Sequence, residues 1–198
     1  MRRGRCSLQS RATLRTAWQV GFVPDLVFVT GDLANRGRAD EHEEFWLDFM
    51  VKLQTTIGDG IEDRTFVVPG NHDVDRDENQ GFSREELSQP SNHYFDPTGE
   101  GLSKRRIIAP RFRSFVESDL TGRSGDLAKE LGAFANVLSI RDQKIGIAGI
   151  NTAWLSKDDA DERALTPGLP LAESVLLKLI DAELRIPRTP SRGLGRAQ

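Results

Sequence analysis

The sequence is poor in cysteine, in net charge and in long apolar runs, and each shortage excludes a class of protein. Among 198 residues there is one cysteine, Cys6, so no internal disulfide can form and a cytoplasmic location is expected. No apolar run is long enough to span a bilayer. The net charge of −3 gives no electrostatic reason to expect a nucleic-acid or membrane-surface partner. The remaining class is a globular protein of single-domain size.

Two short apolar runs end in glycine followed by polar side chains. The first lies in Leu26–Gly37 (LVFVTGDLANRG) and the second in Val67–Asp73 (VVPGNHD). Continuous apolar runs of this kind predict strands that are buried on both faces. Because ligands bind beyond the carboxyl ends of strands in open α/β sheets, both runs predict one site at one sheet edge.

The side chains at this edge suit metal-assisted acid–base chemistry. Asp32 offers hard carboxylate oxygens and Asn71 an amide oxygen, so both are predicted metal ligands. His72 can exchange a proton near neutral pH, and Asp73 is expected to fix the tautomer and position of the His72 imidazole. We therefore predict His72 and Asp73 as catalytic residues. The pattern identifies no substrate-binding residue.

These motifs are similar to those of a known enzyme family. Gly31–Gly37 and Gly70–Asp73 resemble the GDxxxxxG and GNH(D/E) motifs of the calcineurin-like metallophosphoesterases. Gly146–Ser156 (GIAGINTAWLS) resembles the strand that precedes the last histidine motifs of that family. The resemblance implies an α/β fold of the metallophosphoesterase type, a β-sandwich flanked by helices (α/β/β/α).

The resemblance also implies an activity, its cofactors and its substrate class. Two divalent metal ions, such as Mn, Fe or Zn, would hydrolyse phosphomonoester or phosphodiester bonds of a phosphoester substrate. By this likeness Asp32 bridges both metals, Asn71 holds the second one, and His72 acts beside the scissile phosphate.

The chain departs from the family pattern in its first and last motifs. Residues 1–24 contain neither aspartate nor histidine, so the DxH motif is absent. The histidines are His42, His72 and His93, and none follows Tyr94, so the GHxH motif is absent too. We therefore expect weak or partial metal binding and a fold that is incomplete at both ends, as in a fragment or misframed reading of a longer enzyme. The expected phosphoesterase is accordingly truncated and weakly active or inactive.

Two alternatives to an active enzyme stay open. One is a non-catalytic remnant that keeps the fold without the metal centre. The other is a regulatory or interaction domain of a larger multidomain signalling protein, which would make a fusion or partner domain part of its function.

Composition divides the chain into three segments. Residues 1–20 form a basic segment and helix, either a transit-peptide-like leader or the helix before the first strand. Residues 21–185 form the partial metallophosphoesterase domain. Residues 186–198 lose hydrophobic periodicity and gain proline, arginine and glycine, which predicts a disordered or misframed tail.

Periodicity predicts further elements between the motifs. His42 is expected on a solvated helix face, and 75–101 reads as a long surface loop. Asn151 is expected either to shape the site or to end a strand in a turn. The predicted elements are a strand over 65–68, a hairpin of 134–140 and 144–150, and three helices over 40–57, 104–120 (kinked or split at Pro110) and 171–184. The residues predicted to face the core are Phe45, Trp46, Phe49, Met50 and Leu53 in the first helix, Ile107, Ile108, Phe112, Phe115 and Val116 in the second, and Val175, Leu176, Leu179 and Ile180 in the third.

Overall fold

The computed structural model describes residues 23–78, 81–118, 133–158 and 165–185. The predicted segments 1–20 and 186–198 lie outside these residues. The elements are β1 (Val27–Val29), α1 (Ala39–Phe45), a π-helical segment (Trp46–Met50), α2 (Val51–Ile57), β2 (Thr65–Val67), α3 (Arg84–Leu87), α4 (Gly99–Ile108), α5 (Arg113–Glu117), β3 (Phe134–Ile140), β4 (Gln143–Gly149) and α6 (Leu169–Arg185). Short 3-10 helices cover Glu62–Arg64, Asn71–Asp73, Pro90–Asn92 and Ala109–Phe112.

β1 and β2 form the parallel pair that the sequence predicts. Val27 lies opposite Thr65 and Val29 opposite Val67, and the helical crossover between the strands runs through α1 and α2. In a parallel pair both strands end at the same edge. The loops that begin at Gly31 and Gly70 therefore emerge side by side.

β3 and β4 form the predicted antiparallel hairpin, with Phe134 opposite Gly149 and Ile140 opposite Gln143. The turn residues Arg141 and Asp142 have φ angles of 47° and 65°, as a two-residue type I′ turn requires. Each sheet has two strands within the described residues. The fold thus contains both helices and strands, as predicted. That the strands belong to an α/β/β/α sandwich that is incomplete at both ends stays a prediction.

The core consists of three apolar clusters. Phe66 of β2 packs on Phe134 of β3 at a ring distance of 5.4 Å, which joins the two sheets. Under β1 and β2, Met50 and Leu53 are buried, as the helical periodicity predicts. The third cluster gathers Val74, Tyr94, Ile108, Phe112, Ala153, Trp154, Leu155 and Leu171.

The prediction that residues 75–101 form a long surface loop is wrong. This segment contains α3, a 3-10 turn and the start of α4, and its Tyr94 is 1% exposed. Gly, Pro, Asn and Ser suggested a loop because they favour turns, yet here the turns separate short helices that pack on the core. The predicted split at Pro110 is confirmed, since α4 ends at Ile108 and a 3-10 segment leads to α5.

The predicted core-facing sides of two helices need correction. In α6, Val175 is buried, but Leu176 and Ile180 are 47% and 53% exposed. Leu171 and Ala172 are buried instead. In α4, Ile107 is 63% exposed, although it too was predicted in the core. Helical periodicity gives the width of an apolar stripe but not which edge of the stripe meets the neighbouring element. No helix in the described part combines the length and apolarity that crossing a membrane requires.

Candidate active site

Two glycines let the Gly31 and Gly70 loops interlock. Gly31 has φ of +106°, and a Cβ added there would lie 2.5 Å from the backbone nitrogen of Gly70. A Cβ on Gly70 would lie 2.3 Å from Asp32 Oδ1. No side chain fits in either place, and the positive φ at Gly31 favours glycine independently. The GD and GNHD motifs are thus two halves of one backbone contact.

Asp73 is the buried centre of this contact. It is 0% exposed, and its Oδ1 accepts hydrogen bonds from the backbone nitrogens of Leu33 at 2.8 Å and Ala34 at 2.9 Å. Its Oδ2 accepts from the nitrogen of Gly70 at 2.8 Å. Backbone N–H donors satisfy a buried carboxylate well. Asp73 therefore ties the loop after β1 to the loop after β2.

The prediction that His42 is solvated is wrong. It is 2% exposed, and its Nε2 lies 3.3 Å from Asp73 Oδ1. The edge of its ring packs against Phe115 at 6.0 Å. Since a carboxylate only accepts, His42 Nε2 is the donor. The acidic residues around His42 in the sequence suggested an exposed helix face. However, α1 starts directly after the GD loop, and its first turn packs against the GNHD loop.

The expected contact of Asp73 with the His72 imidazole is wrong as well. His72 Nδ1 lies 3.0 Å from the carbonyl oxygen of Asn35 in the GD loop. A carbonyl only accepts, so Nδ1 carries the proton and Nε2 of the neutral ring keeps its lone pair. Asn35, rather than Asp73, therefore fixes the tautomer of His72.

Asp32 and Asn71 come together as predicted. Asp32 Oδ1 accepts from the backbone nitrogen of His72 at 3.3 Å. With its nitrogen toward Asp32, the Asn71 amide donates to Oδ1 at 3.3 Å, and its oxygen accepts from Arg76 Nη2 at 3.1 Å. If the amide turned over, two acceptor oxygens would face each other and repel unless a cation lay between them. Metal binding at this pair thus requires Asn71 to turn away from Arg76.

The donor set suits a hard divalent cation but forms only part of a metal site. Carboxylate and amide oxygens are ligands that Mg²⁺, Mn²⁺ and Ca²⁺ accept. Within the described ranges, no group of three or more His, Cys, Asp or Glu side chains is arranged so that it could hold a metal ion. Asp32 and Asn71 can therefore hold one edge of a cation's coordination sphere.

The other residues considered in the sequence lie around this centre in different ways. Ser156 Oγ donates to the carbonyl oxygen of Asn71 at 3.4 Å, so the TAWLS stretch adjoins the GNHD loop. Asn151 ends β4 in a turn, as one alternative predicted, with its Oδ1 accepting from the nitrogen of Ala153 at 2.8 Å. His93, the third histidine of the chain, is exposed, and its Nδ1 lies 4.0 Å from Asp96 Oδ2.

Sequence patterns missed two buried residues near the site. His42 lies in the helix that directly follows the GD loop, and only the tertiary fold brings its ring to Asp73 of the GNHD loop. Arg111 has no sequence signal either. It sits in a 3-10 turn after Pro110, is 0% exposed, and its backbone carbonyl accepts from the nitrogen of Asp75 at 2.8 Å.

Comparison with known proteins identifies the family. The model for calcineurin-like phosphoesterases matches residues 9–141, more than half of the chain, and this range includes both loops. Searches of curated proteins and of solved structures gave no match. The family suggested by the sequence is thereby confirmed: the chain belongs to the calcineurin-like phosphoesterase family.

Proposed function

We propose that the chain is a metal-dependent phosphoesterase that hydrolyses phosphomonoester or phosphodiester bonds with weak activity. The observation that carries the proposal is the meeting of Asp32, Asn71 and His72 at one sheet edge, on loops locked together by Asp73. Family membership supports phosphoester hydrolysis in general. The activity is expected to be weak because we assign only two metal-ligating side chains, Asp32 and Asn71.

The chemistry divides between bound metal ions and the chain's own groups. Two divalent cations, when bound, would lower the pKa of a bound water and neutralise charge on the phosphoryl oxygens. Asp32 and Asn71 would hold them in part. His72, with Nδ1 bound to the Asn35 carbonyl, presents Nε2 to exchange a proton with the substrate. We propose that Asp73 acts through the loops it ties together, as a positioning residue.

Manganese-dependent turnover of a chromogenic phosphodiester tests this function. Asp32→Ala should abolish turnover because it removes the carboxylate ligand. His72→Ala should lower kcat by about 100-fold or more because it removes the proton-exchanging group. Asp59→Ala and His93→Ala, which change exposed residues of the same types away from the site, should leave the rate unchanged. Full activity in Asp32→Ala would disprove the proposal.

A non-catalytic interaction or regulatory domain is the second candidate. It is favoured by the shortage of acidic and histidine ligands around Asp32 in the described part of the chain. Equilibrium dialysis against Mn²⁺ separates the two candidates. Nearly stoichiometric metal that Asp32→Ala loses would contradict a non-catalytic role, whereas no bound metal at millimolar Mn²⁺ would favour it.

A further inference from the structure

Arg111 is a buried cation whose hydrogen-bonding capacity is largely unused. Its Nε donates to the carbonyl oxygen of Asp75 at 3.4 Å, and its guanidinium lies 4.9 Å from the centre of the Phe82 ring. Within the described ranges neither Nη1 nor Nη2 has a hydrogen-bond partner, although both are buried. Each Nη carries two N–H groups, so the outer half of the guanidinium fork is unsatisfied.

The surroundings of Arg111 make this charge costly. No carboxylate of the described residues forms an ion pair with it. The pKa of Arg111 is lowered to about 10, chiefly by burial and also by the positive charges of Arg76 and Arg84, which together outweigh the opposite effect of Tyr94 and Asp75. Buried charges are normally paired because desolvation is expensive. An anion bound at Nη1 and Nη2 would supply the missing partner.

The neighbouring cations connect Arg111 to the candidate metal ligands. Arg76 Nη2 lies 3.1 Å from the Asn71 amide oxygen when the amide nitrogen faces Asp32. Arg84 donates from Nε to the carbonyl oxygen of Leu155 at 3.0 Å and lies 4.0 Å from Asp158. Lys157 Nζ lies 5.5 Å from the centre of the Phe82 ring, against which the Arg111 guanidinium also packs. Positive charge thus extends from Asn71 to Arg111.

We propose that Arg111, together with Arg76 and Arg84, forms a phosphate-binding site beside Asn71 that takes a second phosphate group of the substrate. We call these three residues the arginine cluster. The planar guanidinium fork matches the geometry of phosphate oxygens. Arg76 adds positive charge beside the phosphate whether or not its Nη2 also donates to Asn71. The assignment to substrate rests on the proposed function and selects phosphoesters that carry two phosphate groups.

The phosphate group must displace whatever covers Arg111 in the ligand-free chain. Arg76, itself a member of the cluster, and Lys157, whose Nζ lies 5.5 Å from the Phe82 ring, are the long side chains that would have to move aside. Phe82 packs under the guanidinium and would keep its plane in place while the Nη atoms bind the phosphate oxygens.

Titration of the metal-free chain with inorganic phosphate tests the site. In EDTA, phosphate should raise the melting temperature of the native chain, and Arg111→Met should bind phosphate at least tenfold more weakly. The control Arg113→Met changes an exposed arginine two residues away and should bind as the native chain does. Arg76→Gln serves if Arg111→Met does not fold, and should also bind at least tenfold more weakly. No stabilisation of the native chain, or equal stabilisation of the cluster variants, would overturn the site.

Steady-state kinetics with Mn²⁺ test whether the phosphate belongs to the substrate. Arg111→Met should raise KM at least tenfold for an alkyl bisphosphate and leave KM for the alkyl monophosphate unchanged. Equal effects on both esters would overturn the second-phosphate assignment. If neither ester is hydrolysed, the proposed function and this assignment fail, while the titration in EDTA still decides whether the arginine cluster binds phosphate.

Discussion

At the scale of single residues, Asp73 shows how a motif residue acts through the backbone. Its carboxylate accepts from Leu33, Ala34 and Gly70 nitrogens and from His42 Nε2. The first three contacts fix where the loops run, and the loops carry Asp32, Asn71 and His72. His42 completes the shell from the helix side. The positions of Asp32, Asn71 and His72 therefore depend on Asp73, a fully buried residue that fixes the two loops.

His42→Phe should destabilise the fold by about 1–3 kcal/mol, since it keeps a ring beside Phe115 but removes the hydrogen-bond donor to the buried Asp73 carboxylate. Urea unfolding measures the free-energy difference. His42→Gln, which can place an amide N–H near the former Nε2, should recover part of the loss. A His42→Phe chain as stable as the native one would mean that the 3.3 Å contact contributes nothing.

At the scale of elements, the two β-strand loops behave as one unit. Gly31 and Gly70 approach so closely that each excludes a side chain on the other. Gly37 has the same relation to the backbone of Val74 and Asp75, with an added Cβ 2.4 to 2.5 Å from their atoms. In this chain, Gly31 and Gly37 are thus both required by the close approach of the loop that follows β2.

Gly31→Ala and Gly58→Ala separate steric clash from backbone strain. Gly58 has φ of +109°, close to the +106° of Gly31, yet nothing lies within 4 Å of an added Cβ. Gly58→Ala should cost about 1–3 kcal/mol, because its φ of 109° and ψ of 172° lie in a region that essentially only glycine adopts, while no atom is in the way. Gly31→Ala should cost more, because the clash with Gly70 forces the loops apart. Urea unfolding of both variants gives the difference, and equal losses would show that the loops can separate freely.

The elements could be predicted where local pattern and tertiary environment agree. The strands at β1, β2, β3 and β4 follow from apolar runs, and the split at Pro110 follows from the missing N–H of proline. The helix faces were less predictable. Leu176 and Ile180 satisfy the helical period as well as Val175 does, and only contact with the β3–β4 hairpin decides which side is covered.

The residues of the candidate site likewise fall into those that the sequence predicts and those that it does not. Asp32, Asn71 and His72 could be located because glycine-bounded strand ends place them at one edge. The partners of Asp73 and of His72 could not be predicted, because backbone groups of Leu33, Ala34 and Asn35 carry no sequence signature. Arg111 is farther away in sequence and reaches Asp75 only through the tertiary fold.

At the scale of the whole molecule, one aromatic contact joins the parallel pair to the hairpin. Phe134 is 2% exposed, packs on Phe66 and fills the space over Gly149, where an added Cβ would lie 2.2 Å from its ring. Phe28 also stacks on Phe66, at 5.9 Å, but is 56% exposed. Phe66 thus contacts one buried ring, Phe134, and one largely exposed ring, Phe28.

Phe134→Ala should therefore cost about 3–5 kcal/mol, a large share of the 5–15 kcal/mol that stabilises an ordinary domain. Phe28→Ala, its matched control, should cost about 1 kcal/mol because less apolar area leaves contact. Chemical denaturation followed by far-UV circular dichroism and by tryptophan fluorescence should give coincident transitions in both variants if the sheets fold cooperatively. A Phe134→Ala loss no larger than that of Phe28→Ala would mean that the hairpin and the parallel pair are stabilised independently of each other.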